Sequence, residues 1–455
     1  MTFTIHRGAS EIGGSCVEIN TSTTKIVIDF GMPLVNSDKT PFNSNEINNL
    51  STEELIQQGI LPNIPSLYKN NSTTAVLISH SHQDHYGLID KISSSCPVYL
   101  GKITKFMIET LNTFTNKKWN IQNPKYIENG KLFKIGDIEI TPFLLDHSAF
   151  ESFAFFIEAD GKSLLYSGDF RLHGRNEDKF NNFKDNVKQN VDYFLMEGST
   201  LGRTTDTSTD VSYQTEKEIE EQFVKIFNQT NGINLIFTSG QNIERLISIY
   251  NACKKCDKIF LIDFYTAYIL KYVNKYGNDD KQPTVVPFPS KKFPEIKVFF
   301  PTRLIGKILR LDNQIKYVYQ FSRYNIGKNN IDKLSDKIVM LVRSSQEADL
   351  KNYLKKYSGG SFIYSMWKGY IEQNQKTKEF IEYFKNKGMS IKFLHTSGHA
   401  DLLGLKKIID TVKPKNIVPI HTYEGEKYKE YFNDYNVLII KDKEEFNAMR
   451  IITRL

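Results

Sequence analysis

Residues 80–85 read His80-Ser81-His82-Gln83-Asp84-His85, so three of the chain's nine histidines stand within six positions with an aspartate among them. They follow the apolar run Ala75-Val76-Leu77-Ile78, which Ser79 ends, and Tyr86-Gly87-Leu88-Ile89 reads as the start of a helix. The cluster therefore occupies a strand-to-helix turn at the mouth of a sheet, where a site is both rigid and open. Imidazole and carboxylate at this density are ligands for borderline divalent metals such as zinc. Four ligands from one tight loop cannot all reach one tetrahedral ion without strain, but they can divide between two ions about 3.5–4 Å apart. The bland alternative is a solvated polar loop. It is disfavoured because three histidines held together repel as they protonate unless a metal keeps them neutral.

At 455 residues the chain is too long for one ordinary domain. A hydrophobic fraction of 40% with 24% charged residues suits a soluble protein with a large core. No apolar run is long enough to span a bilayer. The N-terminal Met1–Arg7 alternates like a strand instead of forming a basic-then-apolar leader. No membrane partner and a cytoplasmic location are expected. Four cysteines make no disulfide framework, and the lone Cys253/Cys256 pair at the end of a helical run reads as structural. The net charge of +7 is compatible with a polyanionic partner without establishing one.

Short apolar runs separated by polar turns fill the first 200 or so residues, predicting a strand-rich domain over residues 1–203. A polar linker, Thr204–Asp210, precedes a change of character. Strand and helix patterns then alternate (Ile233–Phe237, Ile243–Cys253, Ile259–Asp263, Ala267–Tyr276), predicting a parallel α/β domain over 204–370. Residues 371–455 hold two further strand–helix units, Ile391–Leu394 with Leu402–Thr411 and Ile417–Ile420 with Lys427–Tyr431.

Three more candidate ligands stand at strand ends like that of the first cluster: His147 after Thr141–Asp146, Asp169 after Ser163–Tyr166, and His421 after Ile417–Ile420. Singly, each is an ordinary turn residue. Their weight comes from the shared topological position.

Taken together, Gly13-Gly14, Val27-Ile28-Asp29-Phe30-Gly31, the His80–His85 loop, His147, Asp169 and His421 resemble the metallo-β-lactamase superfamily. The resemblance implies an αββα four-layer sandwich and two divalent metals, Zn2+ foremost with Mn2+ as the alternative. By position it assigns His80, His82 and His147 to one metal and Asp84, His85 and His421 to the other, with Asp169 bridging. The roughly 160 α/β residues inserted before His421 resemble the β-CASP nucleases of that superfamily. So does the acid in Met196-Glu197-Gly198-Ser199-Thr200, with Gly202-Arg203 after it, and so does the segment His395-Thr396-Ser397-Gly398-His399-Ala400. An inserted parallel β-CASP domain is thus implied. A histidine at position 421 points to RNA, since DNA-directed members of the branch usually lack it. Some members continue into a further C-terminal domain that helps them dimerise. This sequence ends at Leu455, near the expected end of the catalytic core, so a homodimer is left open.

The implied reaction is two-metal phosphodiester hydrolysis of single-stranded RNA, exonucleolytic from the 5′ end, endonucleolytic or both, leaving 5′-phosphate and 3′-hydroxyl ends. His399 is the candidate acid for the leaving oxygen, with Glu197 orienting it, and Asp84 counts as catalytic as well as a ligand. The turn at Ser397-Gly398, with His395, Thr396, His399 and Ser365, is expected to receive a substrate phosphate. Cations interleave with aromatics in Lys291-Lys292-Phe293, Lys297-Val298-Phe299-Phe300 and Arg303–Arg310, a pattern that suits RNA and equally suits a basic face over core rings. A hydrolase of small esters or lactones, or a single-stranded DNA nuclease, is the alternative.

Overall fold

The computed structural model describes residues 1–36, 38–70, 73–115, 119–202, 212–277, 285–310 and 316–449. Arg203 and the expected linker 204–210 lie outside them. The chain forms two compact units: Met1–Glu109, Lys117–Ser212 and Gly398–Leu455 make the first, and Thr110–Asn116 with Tyr213–Ser397 makes the second.

Among the described residues, the first unit holds two seven-stranded sheets. One runs, edge to edge, Glu445–Asn447, Thr2–Arg7, Cys16–Asn20, Lys25–Ile28, Thr74–Leu77, Val98–Leu100, Pro124–Tyr126. The other runs Asn436–Val437, Asn416–Ile420, Tyr193–Glu197, Lys162–Tyr166, Ser152–Ala159, Ile138–Leu145, Phe133–Ile135. Strand parity builds the layers, because alternate side chains face opposite ways. Phe3, Ile5, Val17, Ile19, Ile26, Ile28, Ala75 and Leu77 of the first sheet share one core with Phe153, Phe155, Ile157, Leu164, Tyr166, Leu195, Val418 and Ile420 of the second. The alternating neighbours Ala154, Phe156, Leu165, Phe194, Met196 and Ile417 face the other way. They pack under helices Glu177–Asn186, Leu402–Val412 and Tyr428–Tyr431. This is the sandwich of two sheets with helices outside that the sequence led us to expect. The helix expected from Tyr86 is a single turn, Gln83–Tyr86, that begins inside the histidine cluster itself.

The second unit is a six-stranded, wholly parallel sheet in the order Ile296–Phe299, Ile259–Asp263, Ile338–Val342, Asn234–Phe237, Ser361–Tyr364, Ser390–Phe393. Its central strand Ile338–Val342 is buried throughout, as parallel sheets covered on both faces require. Side chains start its helices. Thr215 and Glu218 form a capping box on Glu216–Gln229, and Asn242 and Asp263 cap the two helices that follow them. Arg245, fully buried, clamps two of those helices together with a bidentate pair to Glu216 at 2.9 and 3.0 Å.

One expectation changes here, and one open alternative is decided. The strand Ser390–Phe393 pairs with Ser361–Tyr364 in register Ser361↔Ser390 to Tyr364↔Phe393, so the second unit runs to Ser397 instead of ending at residue 370. The strand near Ile391 and the helix from Leu402 therefore belong to different units. In the basic segments, Phe293 and Phe299 are buried core residues and Phe300 stacks on Phe264, so those aromatics face inward while Lys291, Lys292, Arg303 and Arg310 stay exposed. Cys253 is buried on its helix, and the Cys256 thiol faces Val224 O at 3.7 Å.

Candidate metal centre

Strand direction assembles the site. Lys25–Ile28 and Thr74–Leu77 run parallel, as do Lys162–Tyr166, Tyr193–Glu197 and Asn416–Ile420. Ile138–Leu145 runs the same way as Lys162–Tyr166, since both are antiparallel to Ser152–Ala159. The carboxyl ends of all these strands come to one edge of the sandwich, and there stand Asp29, His80, His147, Asp169, Glu197 and His421.

The side chains form three overlapping groups whose ligand atoms lie within 4.8 Å of one another: His80, His82, His147 and Asp169; Asp84, His85, Asp169 and His421; and Asp169, Glu197 and His399. Asp169 Oδ2 is the common point. It lies 3.2 Å from His85 Nε2, 3.7 Å from His80 Nε2, His421 Nε2 and His399 Nδ1, and 3.9 Å from His147 Nε2. His82 presents Nδ1, 3.1 Å from the Nε2 atoms of His80 and His147. Asp84 Oδ2 is 3.7 Å from the Nε2 atoms of His85 and His421.

A second layer, unread in the sequence, fixes which nitrogens face inward. Buried Asp29 accepts from the hydroxyls of Ser79 (2.8 Å) and Tyr166 (2.7 Å), from the Ser79 N–H (2.7 Å), and from His85 Nδ1 (2.7 Å). Because Ser79 gives its hydroxyl proton to Asp29, its oxygen accepts from His80 Nδ1, 3.0 Å away. His147 Nδ1 donates to Gly398 O at 2.5 Å, while His421 Nδ1 lies 2.9 Å from Ser15 Oγ and accepts from the Gly13 N–H at 3.4 Å. His80 and His147 therefore each turn a bare Nε2 to the centre, and His85, its Nδ1 proton held by Asp29, would do so where a cation took the place of its Nε2 proton. Among the described residues, His85 Nε2, His421 Nε2 and Asp169 Oδ1 are buried with no hydrogen-bond partner, a set of atoms that would suit a divalent cation.

Backbone shape serves the same end. Asp29 and His421 have φ of 59° and 51°, and His421 N–H donates to Gly8 O at 2.6 Å. A Cβ at Gly31 would lie 1.8 Å from Asp84 O, so glycine there lets the loop after Lys25–Ile28 lace to the histidine turn through Phe30 N–His85 O (2.7 Å) and Met32 N–Gln83 O (3.0 Å).

Burial pushes the pKa of His80, His82 and His147 down, His82 to about 4, and neighbouring imidazoles add to the effect. Burial also lowers His421. His85 goes the other way: burial opposes its charge, but Asp169, Asp29 and Asp84 outweigh it and hold its pKa well above the usual range. Burial would raise Asp169, yet His421, His85 and His399 keep its carboxyl far below the ordinary value.

Glu197 Oε1 lies 3.2 Å from His399 Nδ1 and accepts from Phe170 N–H at 3.2 Å, while Oε2 accepts from Ser199 N–H at 3.0 Å. Of the residues expected to receive phosphate, Gly398 and His399 belong to the first unit and His395, Thr396, Ser397 and Ser365 to the second. Ser365 is buried. Its hydroxyl accepts from Arg245 Nη1 and donates to Leu394 O at 2.6 Å, and Thr396 Oγ1 donates to Gln214 O at 2.6 Å. Asp146 forms an ion pair at 2.9 Å with fully buried Arg171, which ties the turn before His147 to the one after Asp169.

Residues 49–200 match the β-lactamase superfamily domain family, and residues 387–438 match a Zn-dependent metallo-hydrolase RNA specificity domain. With the fold and the ligand pattern, these matches make the chain similar to the metallo-β-lactamase superfamily and to its β-CASP branch. Within that branch it resembles the catalytic core of ribonuclease J. It is 22% identical over 429 residues to ribonuclease J of Mycoplasma genitalium, covering 91% of this chain and 66% of that protein. It is 24% identical over 266 residues to that of Methanocaldococcus jannaschii, covering 54% of this chain and 56% of that protein. The Pyrococcus abyssi protein is 20% identical over 438 residues, covering 91% and 88%. The chain thus spans somewhat less than two thirds of the Mycoplasma relative. A solved protein of unknown function from Enterococcus faecalis V583 shares the fold with a TM-score of 0.72 at 22% identity, covering 98% of this chain and 99% of that one. Among the described residues no helix is long and apolar enough to cross a membrane.

Proposed function

We propose that the chain is a metal-dependent phosphodiester hydrolase of single-stranded RNA, located in the cytoplasm. The observation that carries the proposal is the Glu197–His399 pair beside the Asp169 cluster, a held proton donor that a site for strained lactones does not require. The ribonuclease J relatives and the matched RNA specificity domain favour RNA over the other phosphodiesters.

Two divalent cations, Zn2+ or Mn2+, would be held by His80, His82, His147 and Asp169 and by Asp84, His85, Asp169 and His421, and would supply an acidified water and charge stabilisation at the phosphate. Glu197 cannot swing away, because two backbone N–H groups hold its oxygens. It therefore fixes His399 through Nδ1 and leaves Nε2 to protonate the departing 3′ oxygen. Asp84 keeps its carboxylate at the mouth of the site, where it can accept a hydrogen bond from the attacking water. The Ser397-Gly398 turn, with His395, would offer donors to a substrate phosphate. Ser365 and Thr396, whose hydroxyls are engaged elsewhere, would support that segment. The products would be a 5′-phosphate and a 3′-hydroxyl.

The test is end-labelled RNA bearing 5′-monophosphate, 5′-triphosphate or 5′-hydroxyl, incubated with metal-restored protein. Mononucleotides from the labelled end mean 5′-to-3′ exonuclease action, and discrete internal fragments mean an endonuclease. The proposal fails if RNA stays intact while a lactone or thioester is hydrolysed. His399→Ala should lower kcat by about 10²–10⁴ with metal content unchanged. Loss of metal in that variant would make His399 a ligand instead.

A further inference from the structure

The loop that leaves strand Ser361–Tyr364 carries Trp367, Lys368 and Tyr370, and the neighbouring edge strand ends in Phe393. These three rings are 39%, 48% and 49% exposed, in contrast to the buried aromatics of the basic segments. They are held in place. The Trp367 indole lies against Gly369, where a Cβ would come within 2.2 Å of the ring, so only glycine leaves room for it. Trp367 and Tyr370 meet edge to face at 5.3 Å and 90°. The Tyr364 hydroxyl and the Tyr370 N–H both donate to Trp367 O, at 3.3 and 3.2 Å. The same Tyr364 meets the Phe393 ring at 6.2 Å, and Lys368 Nζ sits 4.6 Å from the centre of that ring. Lys392 is exposed beside it. The group lies at the carboxyl ends of a parallel α/β sheet, the usual side for ligands in such sheets.

We propose that Trp367, Tyr370 and Phe393 form a stacking platform for unpaired bases of single-stranded RNA, with Lys368 and Lys392 meeting its phosphates. The proposal rests on the RNA reading above and adds to it a site on the second unit. Three pre-positioned rings with ammonium groups between them suit bases joined by phosphates, because every base has a π face and stacking does not depend on sequence. An apolar protein partner would use the rings but gain nothing from the lysines.

The chain's two tryptophans make the test direct, since Trp119 is 3% exposed and Trp367 is the exposed one. A phosphorothioate uridine oligonucleotide, resistant to cleavage, is titrated into the full chain. Indole fluorescence should be quenched in the wild type and not in Trp367→Phe. Tyr370→Ala and Phe393→Ala should each weaken oligonucleotide binding about tenfold. For long RNA the same variants should raise KM about tenfold with kcat within about twofold, while turnover of bis(p-nitrophenyl) phosphate stays at the wild-type level. Oligonucleotide binding without a change in fluorescence overturns the platform. Equal quenching by inorganic polyphosphate, or by duplex RNA, overturns it too. Quenching without any phosphodiester hydrolysis supports the platform and sinks the hydrolase reading. Hydrolysis without quenching does the reverse.

Discussion

Asp29→Asn isolates the second layer of the metal centre. Asparagine tolerates the left-handed backbone (φ 59°) that Asp29 adopts, so the main chain is not perturbed. The charge and one acceptor are lost. If the amide oxygen turns to the Ser79, His85 and Tyr166 donors, the NH2 group meets the Ser79 N–H now at 2.7 Å, donor against donor. If it flips, the NH2 group faces three donors. The better orientation still leaves one buried N–H unsatisfied, about 1–3 kcal/mol, and removes the charge assistance from the His85 bond, about another 1 kcal/mol. Part of that loss falls on folding and part on metal binding, where such outer ligands are worth about 10–100-fold in affinity. Competition with a calibrated chelator should show the cation held by Asp84, His85 and His421 weakened by that factor. Ser79→Ala should instead weaken the His80, His82 and His147 group, because it frees His80 Nδ1 and leaves the Asp29–His85 bond in place. If Asp29→Asn binds both cations as the wild type does, the proton-direction reasoning is wrong.

Gly398→Ala should also weaken the first cation selectively, since its Cβ would meet Ser148 Oγ at 2.5 Å and His147 Cε1 at 3.3 Å; metal stoichiometry by mass spectrometry checks it. Arg245→Ala should cost about 3–5 kcal/mol in urea unfolding, because it strands buried Glu216 without its partner. Although burial favours its protonated form, Glu18 is held down to a pKa of about 2 by hydrogen bonds from His6 and Lys25. With its folded pKa below the ordinary value of 4.5, its contribution is complete above pH 4.5 and is lost as pH falls through 2. Screened through half-open Lys25, that contribution is about 1–2 kcal/mol, so the stability gap between wild type and Glu18→Gln should be widest at pH 6–7 and close near pH 2. Chelation should lower the thermal transition of the first unit, reported by Trp119 in a Trp367→Phe background, by an amount set by mass action. A Trp119 transition that ignores chelator would rule out a resident cation.

The candidate ligands stood out in the sequence because each of His80, His147, Asp169 and His421 follows an apolar strand, and chain direction carries those strand ends to one edge. Asp29 was visible only as part of a strand motif. Its partners lie 50, 56 and 137 residues away, and no local pattern announces a proton-accepting carboxylate behind two ligands. The end of the inserted unit was misplaced because Gln375–Asn386 and Ser390–Phe393 carry the helix–strand alternation on past residue 370, and only pairing with Ser361–Tyr364 assigns them. The aromatics of 291–300 were left between two readings for a related reason: composition does not say which way a ring points, and packing turned Phe293 and Phe299 inward.

The histidine cluster is thus less a set of ligands than a set of constrained lone pairs. His80 and His147 each spend their Nδ1 proton on a neighbour, so both bring a bare Nε2 to within 3.1 Å of His82 Nδ1. His82 can carry one proton there and satisfy one of them, not both. Burial keeps these rings from taking up further protons. A buried polar atom left unpaired costs about 1–3 kcal/mol, and on the other side of Asp169 the Nε2 atoms of His85 and His421 are, among the described residues, buried without a hydrogen-bond partner. Protonation could relieve this only by placing like charges a few ångströms apart around one carboxylate, whereas a cation in each group satisfies every inward lone pair at once. The second layer, by dictating where the protons are, makes the first layer a site for cations and for little else.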